Sequence, residues 1–196
     1  MHAPGSGNGG ANKKFETIVK NLKEALAENE GFELFITGHS LGGGLAQLLS
    51  YELAAYGEIV ENNPFPLPVR AVSFASPQIG NKKGFAQAYQ ALEKAGRVRH
   101  LRVTNKGDAV PELVPGFGYA QTGVNVHLKE SEPAMVGYNV KKNVVSQIGL
   151  DSREMHRPAT YRKHLFNSEN NEHLLKKTID ELYEHCGAAV VPRVAK

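Results

Sequence analysis

Between Lys13 and Glu30 the apolar residues Phe15, Ile18, Val19, Leu22 and Leu26 recur at three- and four-residue spacing. This predicts an amphipathic helix stopped at Gly31. The period then changes. Phe32 to Thr37 is a short continuous apolar run and reads as a strand. Leu41 to Tyr56 returns to helical spacing, with Leu45, Leu48, Leu49, Leu53 and Tyr56 as its stripe and Gly57 as its end. Asn62 to Pro68 is a proline-rich loop. Val69 to Ala75 is apolar throughout, as in a strand covered on both faces. After a loop from Ser76 to Asn81, Lys82 to Lys94 places Phe85, Ala88, Tyr89 and Leu92 on one side of a helix. Val98 to Thr104 is a third strand, Asn105 to Pro115 a loop dense in turn residues, and Val124 to Leu128 a shorter strand. Glu130 to Ser152 has weak periodicity and reads as a long connection holding one short strand. Ala159 to Phe166 and Glu172 to His185 read as helices, with a break at Asn167 to Asn171.

Strand and helix alternate at least three times. That order predicts an α/β fold with a parallel sheet and right-handed crossovers. The expected organisation is a disordered lead-in over residues 1–12, a single domain over residues 13–186 and a frayed tail over residues 187–196. Composition adds mainly exclusions. With 41% hydrophobic and 22% charged residues, the 196-residue chain can bury an ordinary core. A net charge of +3 and no basic cluster interleaved with aromatics argue against a nucleic-acid partner. Cys186 is the only cysteine, so no internal disulfide and no cysteine-built metal site is expected. No apolar run reaches the length of a membrane-spanning helix, and the first residues lack the apolar stretch of a signal peptide. As written, the chain reads as cytoplasmic.

Within this pattern Gly38-His39-Ser40-Leu41-Gly42 stands where a strand turns at once into a helix. Glycine, any residue, serine, any residue, glycine is the spacing of a nucleophile elbow. Main chain approaches main chain around such a serine, so a Cβ at either flank, Gly38 or Gly42, is expected to clash. The turn exposes the Ser40 hydroxyl and sets the N–H of Leu41, at a helix N-terminus, beneath it as an oxyanion donor. A bland strand–helix turn with a solvated serine is the competing reading of the bare pattern.

A serine hydroxyl needs a base, and the base an orienting acid. In this class of sheet the chain order is serine, acid, histidine. Asp108 follows the third strand and fits the acid; Glu112 is the reserve and Asp151 a weaker choice. His156, at the start of a helix with Pro158 just inside it, fits the base better than His164. His39 lies inside the elbow and is expected to point away from the nucleophile's side, in a packing or hydrogen-bonding role. His100 and His127 fall within strands, His173 and His185 on the last helix and His2 in the lead-in.

Several further segments appear in a fixed order. They are Thr37-Gly38-His39-Ser40-Leu41-Gly42-Gly43 with Leu45-Ala46, and Phe74-Ala75-Ser76-Pro77-Gln78-Ile79-Gly80-Asn81 with Phe85. Then come Thr104-Asn105, Asp108-Ala109-Val110-Pro111 with Pro115, Tyr119 with Gly123, and His156 with Tyr161. Over residues 15–166 the chain resembles the class 3 lipases, the fungal, plant and algal triacylglycerol lipase family of the α/β-hydrolase fold. The resemblance implies Ser40 as nucleophile, Asp108 as orienting acid and His156 as base, acting on carboxylic esters of acylglycerols or related lipids through an acyl-enzyme. It implies no metal and no organic cofactor, and a lipid or small ester as the partner, with contact at a lipid interface.

The family has more sheet before the elbow helix than this chain supplies. The expectation is therefore an N-terminally shortened member holding the C-terminal half of the fold, with helices on both faces. Its strand from Phe32 to Thr37 should form an open apolar edge, which invites a missing N-terminal segment or self-association. Two alternatives stay open. One is a non-catalytic or partner-dependent fragment; the other is an acyltransferase or thioesterase of the same fold.

Overall fold

The structure, a computed structural model, describes residues 9–59, 64–112, 118–138, 152–166 and 171–186. Residues 1–8, the tail from 187, Asp151, Pro115 and most of the expected long connection lie outside the described residues. In chain order the elements are α1 (Gly9–Glu28), β1 (Phe35–His39), α2 (Leu41–Ile59), β2 (Val69–Phe74) and β3 (Gly80–Asn81). A π-helical turn, Lys82–Ala86, leads into α3 (Gln87–Lys94), followed by β4 (Val98–Asn105) and a 3-10 turn, Val110–Glu112. Then come β5 (Tyr119–Ala120), β6 (Val124–Leu128), β7 (Met135–Gly137), α4 (Ser152–Met155), α5 (Pro158–Phe166), α6 (Glu172–Leu175) and α7 (Ile179–His185).

The main sheet has the order β1-β2-β4-β6-β7. The first four strands run parallel, and β7 pairs antiparallel with β6. Side chains alternate across it. Ile36, Val69, Ala71 and Val98 pack with Val19 of α1, Ala46, Leu53 and Ala54 of α2, and Tyr89 and Leu92 of α3. Leu101, Val103, Val124, Val126 and Leu128 pack with Tyr161, Leu174, Leu182 and Tyr183 of α5, α6 and α7. The helices thus cover both faces, as the continuous apolar strands required. Where the pairing of β4 with β6 begins only at Leu101, the Tyr183 hydroxyl takes the place of a strand. It accepts from the His100 N–H at 2.6 Å and is bonded to Glu93 at 2.7 Å.

Several boundaries differ from expectation. α1 begins at Gly9, inside the expected lead-in, and β1 starts at Phe35 rather than Phe32. α2 runs past Gly57 to Ile59. Of the predicted stripe on α2, Leu53 is buried, while Leu45 and Leu48 are 58% and 40% exposed. The helix expected over Glu172 to His185 is two helices. The second is started by Thr178, whose side chain accepts from the Glu181 N–H while Glu181 reaches back to the Thr178 N–H. β1 is an edge strand of the described sheet, with Phe35 54% exposed.

Candidate active site

The three candidate residues arrive from the ends of different elements. Ser40 directly follows β1 and precedes α2, with φ of 57°. Its N–H donates to the carbonyl of Phe74 at the end of β2 at 2.9 Å, and its carbonyl accepts from the Gly43 N–H at 2.9 Å as α2 begins. The turn is tight enough that a Cβ on Gly38 would sit 2.1 Å from the Gly42 oxygen. Gly42 does not share that constraint: a Cβ there would meet nothing within 4 Å. The crowding expected at Gly42 falls instead on Gly43, where a Cβ would stand 2.9 Å from the Ser76 Cβ. Gly38→Ala is therefore expected to cost about 3 kcal/mol and to lower the thermal midpoint by roughly 6–12 °C. Gly42→Ala, at a helical position with open space, should stay within about 1 kcal/mol of the parent. Thermal unfolding followed by circular dichroism checks both.

Asp108 ends a turn after β4, with Gly107 at φ 89° reversing the chain before it. Its side chain is fully buried. Three donors converge on it: His156 Nδ1 at 3.0 and 3.1 Å, the Tyr161 hydroxyl at 2.7 Å and the Val110 N–H at 2.9 Å. His156 lies between α4 and α5, with its N–H bonded to the Ser152 carbonyl at 3.1 Å. Its Nε2 is 2.9 Å from Ser40 Oγ. Among the described residues Nδ1 faces acceptors only, so it carries a proton and leaves Nε2 free to accept. Burial, with the Asp108 carboxylate beside it, pushes the Tyr161 phenol far above its ordinary pKa and keeps it a donor.

The remaining candidates fall elsewhere. His164 is buried with Nδ1 at 3.1 Å from Asn105 Oδ1, and burial lowers its pKa. The carboxylate on His156 is that of Asp108, and Glu112 lies in the 3-10 turn beyond it. His100 bonds Ser73 at 2.8 Å, and burial holds it down at about 3. His127 bonds Thr104 at 2.9 Å. His39 does not point away as expected. It shares a sheet face with α5, and its ring lies 4.8 Å from that of His156. Leu41, the first residue of α2, is 71% exposed, and its N–H belongs to the first turn, where no intrahelical acceptor exists.

Sequence reading missed Asn105. Its N–H donates to the Tyr161 hydroxyl at 3.0 Å, its Nδ2 to the Met155 carbonyl at 3.1 Å, and its Oδ1 meets His164. One buried amide thereby ties the end of β4 to the helices on either side of His156. An asparagine three residues before a candidate aspartate in a turn was the available signal.

A family model described as lipase (class 3) matches residues 10–117, a stretch that holds Ser40 and Asp108, with His156 beyond it. The chain is 38% identical over 104 residues to galactolipase DONGLE, chloroplastic, of Arabidopsis thaliana, covering 52% of this chain and 21% of the relative. It is 39% identical over 109 residues to phospholipase A1-Igamma1, chloroplastic, of the same plant, covering 55% and 20%. Phospholipase A1-II 5 of Oryza sativa subsp. indica is 34% identical over 124 residues, covering 62% and 26%. The chain thus spans about a fifth to a quarter of the length of these curated relatives. Among solved structures, a fungal lipase superposes with a TM-score of 0.57 at 25% identity, over 72% of this chain and 52% of its own. A second structure, described by an unusual buried polar cluster in a family of fungal lipases, gives 0.52 at 22% identity over 80% and 55%, a likeness of fold alone.

Proposed function

Because this chain belongs to the class 3 lipase family and has its α/β-hydrolase type of fold, we propose that it hydrolyses carboxylic esters of acyl lipids. Ser40 is the nucleophile, His156 the base and Asp108 the orienting acid. The observation that carries this reading is the continuous line from Ser40 Oγ through His156, 2.9 Å on one side, to Asp108, 3.0 Å on the other.

The geometry supports the following course. Ser40 Oγ gives its proton to His156 Nε2 as it bonds to the ester carbonyl carbon. Asp108 holds the imidazolium that forms. The carbonyl oxygen becomes an oxyanion against the Leu41 N–H, a donor of the kind worth about 2.7–4 kcal/mol in the transition state. The carbon–oxygen bond of the ester then breaks, and His156 returns the proton to the leaving alcohol. Water, deprotonated by His156, adds to the acyl-enzyme carbonyl, and the acid leaves as Ser40 regains its proton. The relatives named phospholipase A1 and galactolipase favour a lipid acyl ester as substrate.

The test is covalent. The folded chain, incubated with a fluorophosphonate probe and mapped by mass spectrometry, should carry the adduct on Ser40 and lose p-nitrophenyl ester hydrolysis in step. A folded chain that takes no adduct on Ser40 and turns over no ester would remove the proposal.

A further inference from the structure

The residue before Ser40 has a task of its own. In the register of β1 on β2, Ile36 and Gly38 face α2, so His39 leaves the strand on the side of α5. Its ring is tilted by 48° to the His156 ring and stands edge-on to Tyr161, 6.0 Å between centroids. Its Nε2 lies 2.8 Å from the backbone oxygen of His156. A carbonyl only accepts, so His39 Nε2 carries the hydrogen of that bond. Residue 156 belongs to neither α4 nor α5. Its side chain reaches across to another element, so its main chain needs ties from outside its own loop.

We propose that His39 is a positioning residue that sets the separation of nucleophile and base. The inference rests on the roles given above to Ser40 and His156. A closed ring connects the three residues. Ser40 is joined to His39 by a peptide bond, His39 donates to the main chain of His156, and His156 Nε2 returns to Ser40 Oγ at 2.9 Å. Any drift of the loop is opposed at the residue adjoining the nucleophile itself. Loss of the tie frees the imidazole to move against the hydroxyl, and misplacement of reacting groups by about 1 Å costs on the order of a hundredfold in rate.

The experiment compares His39→Phe, which keeps a ring against Tyr161 but has no donor, with His39→Gln, which supplies an N–H at similar reach. The full chain is assayed with p-nitrophenyl butyrate. For His39→Phe, kcat should fall about tenfold or more while KM stays within about twofold, the mark of an interaction that matters in the transition state alone. His39→Gln should recover most of the loss. The downfield proton NMR signal of the His156–Asp108 bond should persist in wild type and His39→Gln and broaden in His39→Phe. His39→Met, close to glutamine in shape but without its N–H, replaces the phenylalanine variant should that one not fold. Wild-type kcat in the variants without a donor, or equal losses with and without one, would overturn the role. Should wild-type turnover be no greater than that of Ser40→Ala, it is the hydrolase reading that falls. The NMR comparison then decides the placement of His39 by itself.

Discussion

Ser40→Ala is expected to reduce ester hydrolysis by roughly four to six orders of magnitude, the range seen when a serine nucleophile that works with a paired base is removed. The proposed roles also say what a second substitution should do. In the proposed course His156 first takes the proton of Ser40, 2.9 Å away, and reaches water only after the acyl-enzyme has formed, and Asp108 acts through His156. Adding His156→Ala to Ser40→Ala should therefore cost almost nothing more, because the groups work as a unit. Stability should scarcely change. Ser40 already holds a left-handed backbone without being glycine, at φ 57°, and alanine meets the same strain. Initial rates on p-nitrophenyl esters, with a thermal scan of each variant, check both statements. Additive losses from Ser40→Ala and His156→Ala would mean that the two residues serve separate steps.

Asp108→Asn should lower kcat by about ten-thousandfold with little effect on KM, as in a triad whose orienting carboxylate becomes an amide. The cause here can be counted. The buried carboxylate accepts from His156, from Tyr161 at 2.7 Å and from Val110 at 2.9 Å. An amide offers one acceptor oxygen and two N–H donors. With the amide oxygen at the Oδ1 position it keeps the Val110 N–H, and the NH2 at the Oδ2 position faces the Tyr161 hydroxyl, which can turn to accept, and His156 Nδ1, driving the imidazole proton to Nε2, where it blocks transfer from Ser40. With the oxygen at the Oδ2 position it keeps both His156 and Tyr161, but the NH2 then faces the buried Val110 N–H, which loses its acceptor at about 1–3 kcal/mol. Either way the variant loses rate, and in the second it also loses stability. Steady-state kinetics with a denaturant titration separates the two. A large rise in KM at unchanged kcat would instead make Asp108 a substrate contact.

The three residues proposed as catalytic were legible because chain order and turn chemistry carry them. An elbow announces a serine, and an aspartate after a strand and a histidine after the last strand follow in sequence. The ties among them were not legible. His39 and Asn105 act on backbone carbonyls of residues 156 and 155, and a carbonyl has no signature in a side-chain pattern. Spacing alone assigns the requirement for glycine to Gly38, where it holds, and to Gly42. The close approach of the loop after β2 shifts the second of these to Gly43, since it is Ser76 that crowds that position. The break before α7 was readable and overlooked, because Thr178 and Glu181 have the spacing of a helix start. The burial of Leu53 against the exposure of Leu45 and Leu48 depends on which face of α2 the sheet occupies. A helical period names a stripe without saying how much of it will be covered.

The hydroxyl and the imidazole stand 116 residues apart along the chain, and the imidazole and carboxylate 48. On the roles proposed for these residues, no short stretch of this polypeptide holds a working precursor of the site. A nascent or partly ordered chain with its helices already wound is still chemically silent, since loop closure across the whole sheet has yet to occur. On the proposed function, acyl bonds in the surroundings meet a reactive serine only once the fold is complete.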